Sequence, residues 1–179
     1  MLTSFKKANG FSLIEFVVVM VILTVITLML LPSLTTYFSQ NRLKSVAENL
    51  YDDILLGRTS AIEQSTNVTL AVKTGANWCY GMTTNTNCDC ATANSCNLGQ
   101  TTNTSFPKTS LSATNLTVSG TNSIVTFDYV RAAPSFATAT NGIVAISSTL
   151  NNNQQITITI NQLGTATMCS AGTVGGYGC

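Results

Sequence analysis

The sequence predicts an α+β protein in which one long amino-terminal helix packs on an antiparallel β-sandwich head. Three observations carry that expectation. Residues 11–31 are apolar except for Ser12, Glu15, Thr24 and Thr27; apolar residues then recur at three- and four-residue spacing to about residue 64; beyond Asn67 the spacing falls to two. A helix followed by several strands is the order of an α+β domain.

The apolar run of 21 residues would be about 31 Å long as a helix, which matches a bilayer core. Lys6 and Lys7 stand just before it, so the positive-inside rule keeps residues 1–10 in the cytoplasm and exports the chain beyond the run. Pro32 removes a backbone donor and bends or locally melts the helix there. Leu43, Val46, Leu50 and Ile54 then line one side, continued by Leu55, Ala61 and Ile62, with Arg42, Lys44, Glu48, Asp52 and Asp53 mostly elsewhere. Strands are expected at 68–72, 116–118, 124–129, 142–146 and 156–160. Threonine on their second face implies sheets wet on one side. The expected organisation is a leader at 1–10, a transmembrane helix at 11–33, an amphipathic helix at 34–65 and a β-rich head at 66–179.

Only 8% of residues are charged, against roughly 25% in soluble proteins. Without Lys6 and Lys7 the chain holds six bases against seven acids, so the body exerts no general pull on nucleic acid or anionic lipid. There is no histidine, which removes the commonest general base, histidine-activated nucleophiles and most mixed zinc sites. Asp52 and Asp53 are adjacent, so on a helix they point about 100° apart and make no carboxylate pair. Glu63 and Asp128 are isolated, and no helix follows Gly175-Gly176 to make a phosphate loop. Neither enzyme activity nor a cofactor is expected.

The six cysteines are Cys79, Cys88, Cys90, Cys96, Cys169 and Cys179. An even count beyond a membrane segment reads as disulfides in an oxidising compartment, and six cysteines allow fifteen pairings. Residues 79–96, CYGMTTNTNCDCATANSC, read as an insertion-like loop. Cys88, Asp89, Cys90 and Cys96 could ligate a metal, but the spacing is not the CxxC pair of a zinc ribbon and export favours oxidation, so no metal is expected. Cys169 is expected to pair with Cys179, tying down a tail at 172–178 with too few apolar residues to hold itself. The four loop cysteines would pair among themselves. Trp78 and Tyr80 alternate about Cys79 and read as one strand with ordinary packing rather than as an exposed recognition pair.

A carboxylate within a membrane helix costs about 2.5–3.5 kcal/mol on insertion scales, so Glu15 needs a partner. An ordinary signal peptide is cut after its apolar core; here the small residue, Gly10, precedes it. Cleavage behind Gly10 keeps the helix on the mature chain and frees an α-amino group at Phe11, one turn from Glu15. In helices bundled away from lipid and water, Glu15 can balance the amino terminus of a neighbour. The plainer alternative leaves Glu15 at headgroup level with no specific partner.

Gly10-Phe11-Ser12-Leu13-Ile14-Glu15 ahead of a long apolar helix resembles the class III signal of type IV prepilins and pseudopilins. The resemblance implies cleavage between Gly10 and Phe11 by a prepilin peptidase, N-methylation of Phe11, use of Glu15 in assembly and a helix kink at Pro32. Arg58-Thr59-Ser60-Ala61-Ile62 entering Val68-Thr69-Leu70, then Val125-Thr126-Phe127-Asp128, then Ile156 through Gly164, resemble in their order the GspH/FimT family of minor pilins and pseudopilins. That family implies a type IV pilin-like fold. It also implies a minor pilin that waits in the bacterial inner membrane with its head in the periplasm and then joins a pilus, in a tip or priming complex. Its partners would be other pilins, the inner-membrane assembly platform and the lipid bilayer. A type II secretion pseudopilin is the alternative. A DNA-binding pilin for natural transformation is a third reading. Family members that take up DNA carry Gly-Arg-x-Arg where this chain has Gly164-Thr165-Ala166-Thr167, and residues 163–179 contain no Lys or Arg. The other head cations, such as Lys73, Lys108 and Arg131, are scattered, so DNA binding is not expected.

Overall fold

The computed structural model describes residues 12–136, 140–150, 154–171, 174 and 176–178, with the side chains of 29–33 outside that description. The chain divides into two compact units between Phe38 and Ser39.

Helix α1, Leu13–Gln64, supplies most of the first unit and continues into the second. In the first unit its apolar side chains up to Leu28 are all exposed, Leu13 to the extent of 82%. The two threonines of this stretch satisfy their own hydroxyls: Thr24 Oγ1 donates to the Val21 carbonyl at 2.7 Å and Thr27 Oγ1 to that of Leu23 at 2.6 Å. Such back-bonding lets a polar residue sit in an apolar helix without an unmet donor. The helical backbone continues through Pro32.

In the second unit α1 buries Leu43, Val46, Ala47, Leu50, Ile54 and Ala61 completely. Each fully buried Leu or Ile stabilises the fold by about 1.5–3 kcal/mol. Ile62 does not continue this stripe. It lies one residue beyond Ala61, about 100° around the helix, and is 51% exposed. Gly57 holds the place where helix meets sheet, since a β carbon there would lie 2.9 Å from Met82 Sδ. The helix stops at a Schellman turn: Ser65 takes φ +51°, its N–H donates to Ile62 O at 3.3 Å, and the Thr66 N–H reaches Ala61 O at 3.2 Å.

The strands are β1 (Val68–Lys73), β2 (Cys79–Thr83), β3 (Gly99–Thr102), β4 (Thr109–Thr114), β5 (Thr117–Ser119), β6 (Asn122–Phe127), β7 (Pro134–Ser135), β8 (Asn141–Ser148), β9 (Gln155–Asn161) and β10 (Ala166–Ala171). They form two antiparallel sheets, one ordered β3-β2-β1-β6-β5 with β7 on β6, the other β10-β9-β8-β4. One core joins α1 to both sheets through Val68, Leu70, Val72, Val125 and Phe127 from the first, and Val144, Ile146, Ile156, Ile158 and Ile160 from the second.

Three expectations need correction. Residues 79–96 are not all loop: Cys79 to Thr83 form β2, an inner strand between β1 and β3. The first sheet is not wet on its second face, because Ala71 and Cys79 are buried there with Cys88, Cys90 and Cys96, and Ile124 packs beside them. A second small core, made largely of sulfur, replaces water on that face. Finally, β6 ends at Phe127, where the Asp128 carboxylate accepts the Val130 N–H at 2.7 Å and turns the chain.

Candidate assembly segment and disulfide-braced head

Ser12 stands immediately before α1, and its carbonyl accepts the N–H groups of Glu15 at 3.0 Å and Phe16 at 3.2 Å. Glu15 therefore sits in the first helical turn, with its carboxylate exposed. A carboxylate there is favoured by the positive end of the helix dipole. Ser12-x-x-Glu15 also has the spacing of a capping box, a cue that marks where the helix starts. Gly10 and Phe11 lie outside the described residues, and Pro32 lies within α1. Among the described residues no helix is long and apolar enough to cross a membrane.

In the head, Cys79 is bonded to Cys90 and Cys88 to Cys96. Cys169, in β10, is disulfide-bonded; its expected partner Cys179 lies outside the described residues. The two loop bridges draw residues 84–98 over β1, β2 and β6. Asn122 Nδ2 donates to Cys88 O at 3.1 Å from a buried position. Asn97 clamps Thr84 through its side-chain amide, accepting the Thr84 N–H at 3.0 Å and donating to Thr84 Oγ1 at 2.8 Å. Asp89 accepts from Ala91 N and Thr92 Oγ1, bonds that hold its carboxyl below the usual carboxylate range.

The described tail residues also dock on the head. Val174 is only 3% exposed and joins the core. The Tyr177 hydroxyl donates to the Glu48 carboxylate of α1, and Lys44 Nζ lies 5.5 Å from the Tyr177 ring centroid. Burial and the Glu48 contact push the Tyr177 hydroxyl up to about 12. Trp78 and Tyr80 stack with centroids 6.2 Å apart and are fully buried, with Trp78 Nε1 donating to Thr109 O and Oγ1 at 3.1 Å each. Burial raises the Asp53 carboxyl, against a lowering by the nearby Tyr80 hydroxyl. Asp53 and Thr101 lie close enough to Tyr80 Oη to act on it electrostatically, but neither meets hydrogen-bond geometry with it. The turn between β9 and β10 satisfies itself: Asn161 Oδ1 accepts from Leu163 N at 3.0 Å and Thr165 N at 3.1 Å. Arg58, the cation nearest Gly164, donates instead to Ala132 O at 3.2 Å.

The chain is of the pilin and pseudopilin class: the prokaryotic N-terminal methylation motif matches residues 5–31, across the start of the apolar helix. The chain belongs to the family described as type II transport protein GspH, whose profile matches residues 46–164. Its role is that of a minor pilin or pseudopilin, in a family of structural components. The fold is similar to that of the type IV minor pilin FimU of Pseudomonas aeruginosa strain PAO1, at 15% identity and a TM-score of 0.51, covering 74% of this chain and 92% of that one. A second crystal form of FimU aligns at 14% identity and a TM-score of 0.48, over 71% of this chain and 92% of that one. No curated protein sequence matches the chain.

Proposed function

We propose that this chain is a minor pilin of a type IV pilus. On this reading residues 1–10 are a leader, 11–33 anchor the chain once across the bacterial inner membrane with the head in the periplasm, 34–65 are the amphipathic helix, and 66–179 form the head. A prepilin peptidase cuts between Gly10 and Phe11, and Phe11 is N-methylated. The inner-membrane assembly platform then moves the subunit from lipid into the filament, in a tip or priming complex, where Glu15 balances the amino terminus of an adjacent pilin. Pro32 supplies the helix kink. The observation that carries the reading is the exposure of every large apolar side chain from Leu13 to Leu28, all within the methylation motif at residues 5–31. A helix apolar all round is stable only when lipid or other helices cover it. FimU, a type IV minor pilin by name, favours the pilus.

The family's own description favours a second reading, a type II secretion pseudopilin. A DNA-binding pilin has less support, because the β9–β10 turn carries threonines in place of the arginines. Deletion of the gene together with immunoblotting of sheared filaments separates the first two. Recovery of the chain in sheared pili, with loss of pili on deletion, supports the minor pilin. Normal pili with blocked export of secreted enzymes would overturn it in favour of the pseudopilin.

A further inference from the structure

The two loop bridges cross. Cys79 pairs with Cys90 and Cys88 with Cys96, at separations of 11 and 8 residues, so along the chain each cysteine of the loop is joined to the next but one. The uncrossed set, Cys79 with Cys88 and Cys90 with Cys96, would span only 9 and 6 residues. Because closure entropy grows as (3/2)R ln n, an unfolded chain favours the uncrossed set roughly twofold.

The crossed set is selected only by contacts of the docked loop. Cys96 Sγ sits against Gly81, Asn122 holds the Cys88 carbonyl, and Ala71 and Ile124 pack against the sulfurs. The loop itself, TNTNCDCATANSCNL over 84–98, has no aromatic or β-branched aliphatic residue, and Leu98 is its only large apolar one. Before oxidation it has little to bury apart from its cysteines, so the reduced chain lacks the apolar grip that would dock the loop and guide pairing.

We propose that native pairing of this head requires a thiol–disulfide isomerase, a partner presenting an exposed, reactive thiolate, in addition to an oxidant. Oxidation of the four thiols to two bridges releases four protons and four electrons, which reduce two disulfides of a dithiol-type oxidant. Correction of the uncrossed set is redox-neutral. The partner's thiolate attacks Cys88 Sγ, forms a mixed disulfide and expels the Cys79 thiolate. Cys79 attacks Cys90 Sγ, forming Cys79–Cys90 and expelling the Cys96 thiolate. Cys96 then attacks Cys88 Sγ in the mixed disulfide, forming Cys88–Cys96 and returning the partner's thiolate.

The test refolds the reduced full-length chain in detergent micelles with a small disulfide oxidant alone, or with the oxidant plus a purified disulfide isomerase. Digestion without reduction uses a protease that cuts before aspartate. Cuts at Asp53, Asp89 and Asp128 put Cys79 and Cys88 on one fragment and Cys90 and Cys96 on the next. Uncrossed bridges let these fragments separate; crossed bridges hold them together, and tandem mass spectrometry distinguishes Cys79–Cys90 from Cys79–Cys96. Isomerase is expected to raise the crossed form at least threefold, since the four loop cysteines alone allow three pairings and all six cysteines of the full chain allow fifteen. In Cys79→Ala/Cys90→Ala, where Cys88–Cys96 joins consecutive cysteines, the yield of that bridge should not respond to isomerase. Equal crossed yield with oxidant alone, or undiminished dependence in the double variant, overturns the proposal. Neither readout involves pilus incorporation, so this inference and the minor-pilin reading fail independently.

Discussion

Cys96 rests its sulfur on Gly81: a β carbon at position 81 would lie 2.4 Å from Cys96 Sγ and 2.9 Å from Cys96 Cβ. The contact lies inside a strand and beneath a disulfide, so neither side can easily retreat. Gly81→Ala is expected to destabilise the oxidised head by about 1–3 kcal/mol, the range for overpacking. Thermal unfolding of the full chain in micelles should show the loss. In a Cys88→Ser/Cys96→Ser background the same substitution should cost much less; an equal loss in both backgrounds would disprove the clash.

Ser65 ends α1 in the left-handed region at φ +51°. That conformation costs an L-residue roughly 1–2 kcal/mol, and glycine escapes it at some expense in unfolded-chain entropy. Ser65→Gly should therefore stabilise the protein by up to about 1 kcal/mol, and Ser65→Val should destabilise it. Denaturant midpoints at constant slope test both signs.

Tyr177 gives the tail a pH dependence. Its hydroxyl is pushed up to about 12, above the ordinary value near 10, because burial disfavours the phenolate and because the neutral phenol donates to Glu48, a carboxylate the phenolate would face. Its contribution is whole below about pH 10 and is lost as pH rises through about 12. The stability difference between wild type and Tyr177→Phe should stay constant below that window and shrink across it. A difference that persists at higher pH would rule out the Glu48 contact as its source.

Glu15→Ala is expected to insert and be processed but to enter filaments poorly, read as the ratio of chain in sheared pili to chain in membranes. Wild-type incorporation would remove the charge-balance role and leave the helix-dipole role alone.

Gly10→Val should retain residues 1–10, visible as a heavier band and an unblocked Met1 on amino-terminal sequencing. A mature-sized product would refute cleavage at this bond.

The long helix and the central strands were legible because period is a local property: Leu43, Val46, Leu50 and Ile54 face the core at the spacing the sequence displays. Strands β3, β4, β7 and β10 were missed, and β2 was read only at Trp78 to Tyr80, because their burial is not written as apolar alternation. In β2, Cys79, Gly81 and Thr83 are buried on the sulfur-lined face, and all three read as loop residues in isolation. Gly81 was the usable cue, since a glycine inside a strand marks close approach of another group. The tail misled for a similar reason: Val174 and Tyr177 are too few to suggest a docked segment, but they meet partners on α1 and in the core that are distant in sequence. Glu15 stood out early because one charge in an apolar run needs no long-range information.

The end of the chain also closes a gap in the second sheet. β10 is an edge strand, and at Ser170 its N–H and hydroxyl both donate to the Tyr177 carbonyl, at 3.2 and 2.7 Å. A free edge of this kind is a template on which a foreign strand can add itself. With that donor occupied from within, heads crowded along a fibre find no ladder to extend at this point, and self-templated clumping has one fewer place to start.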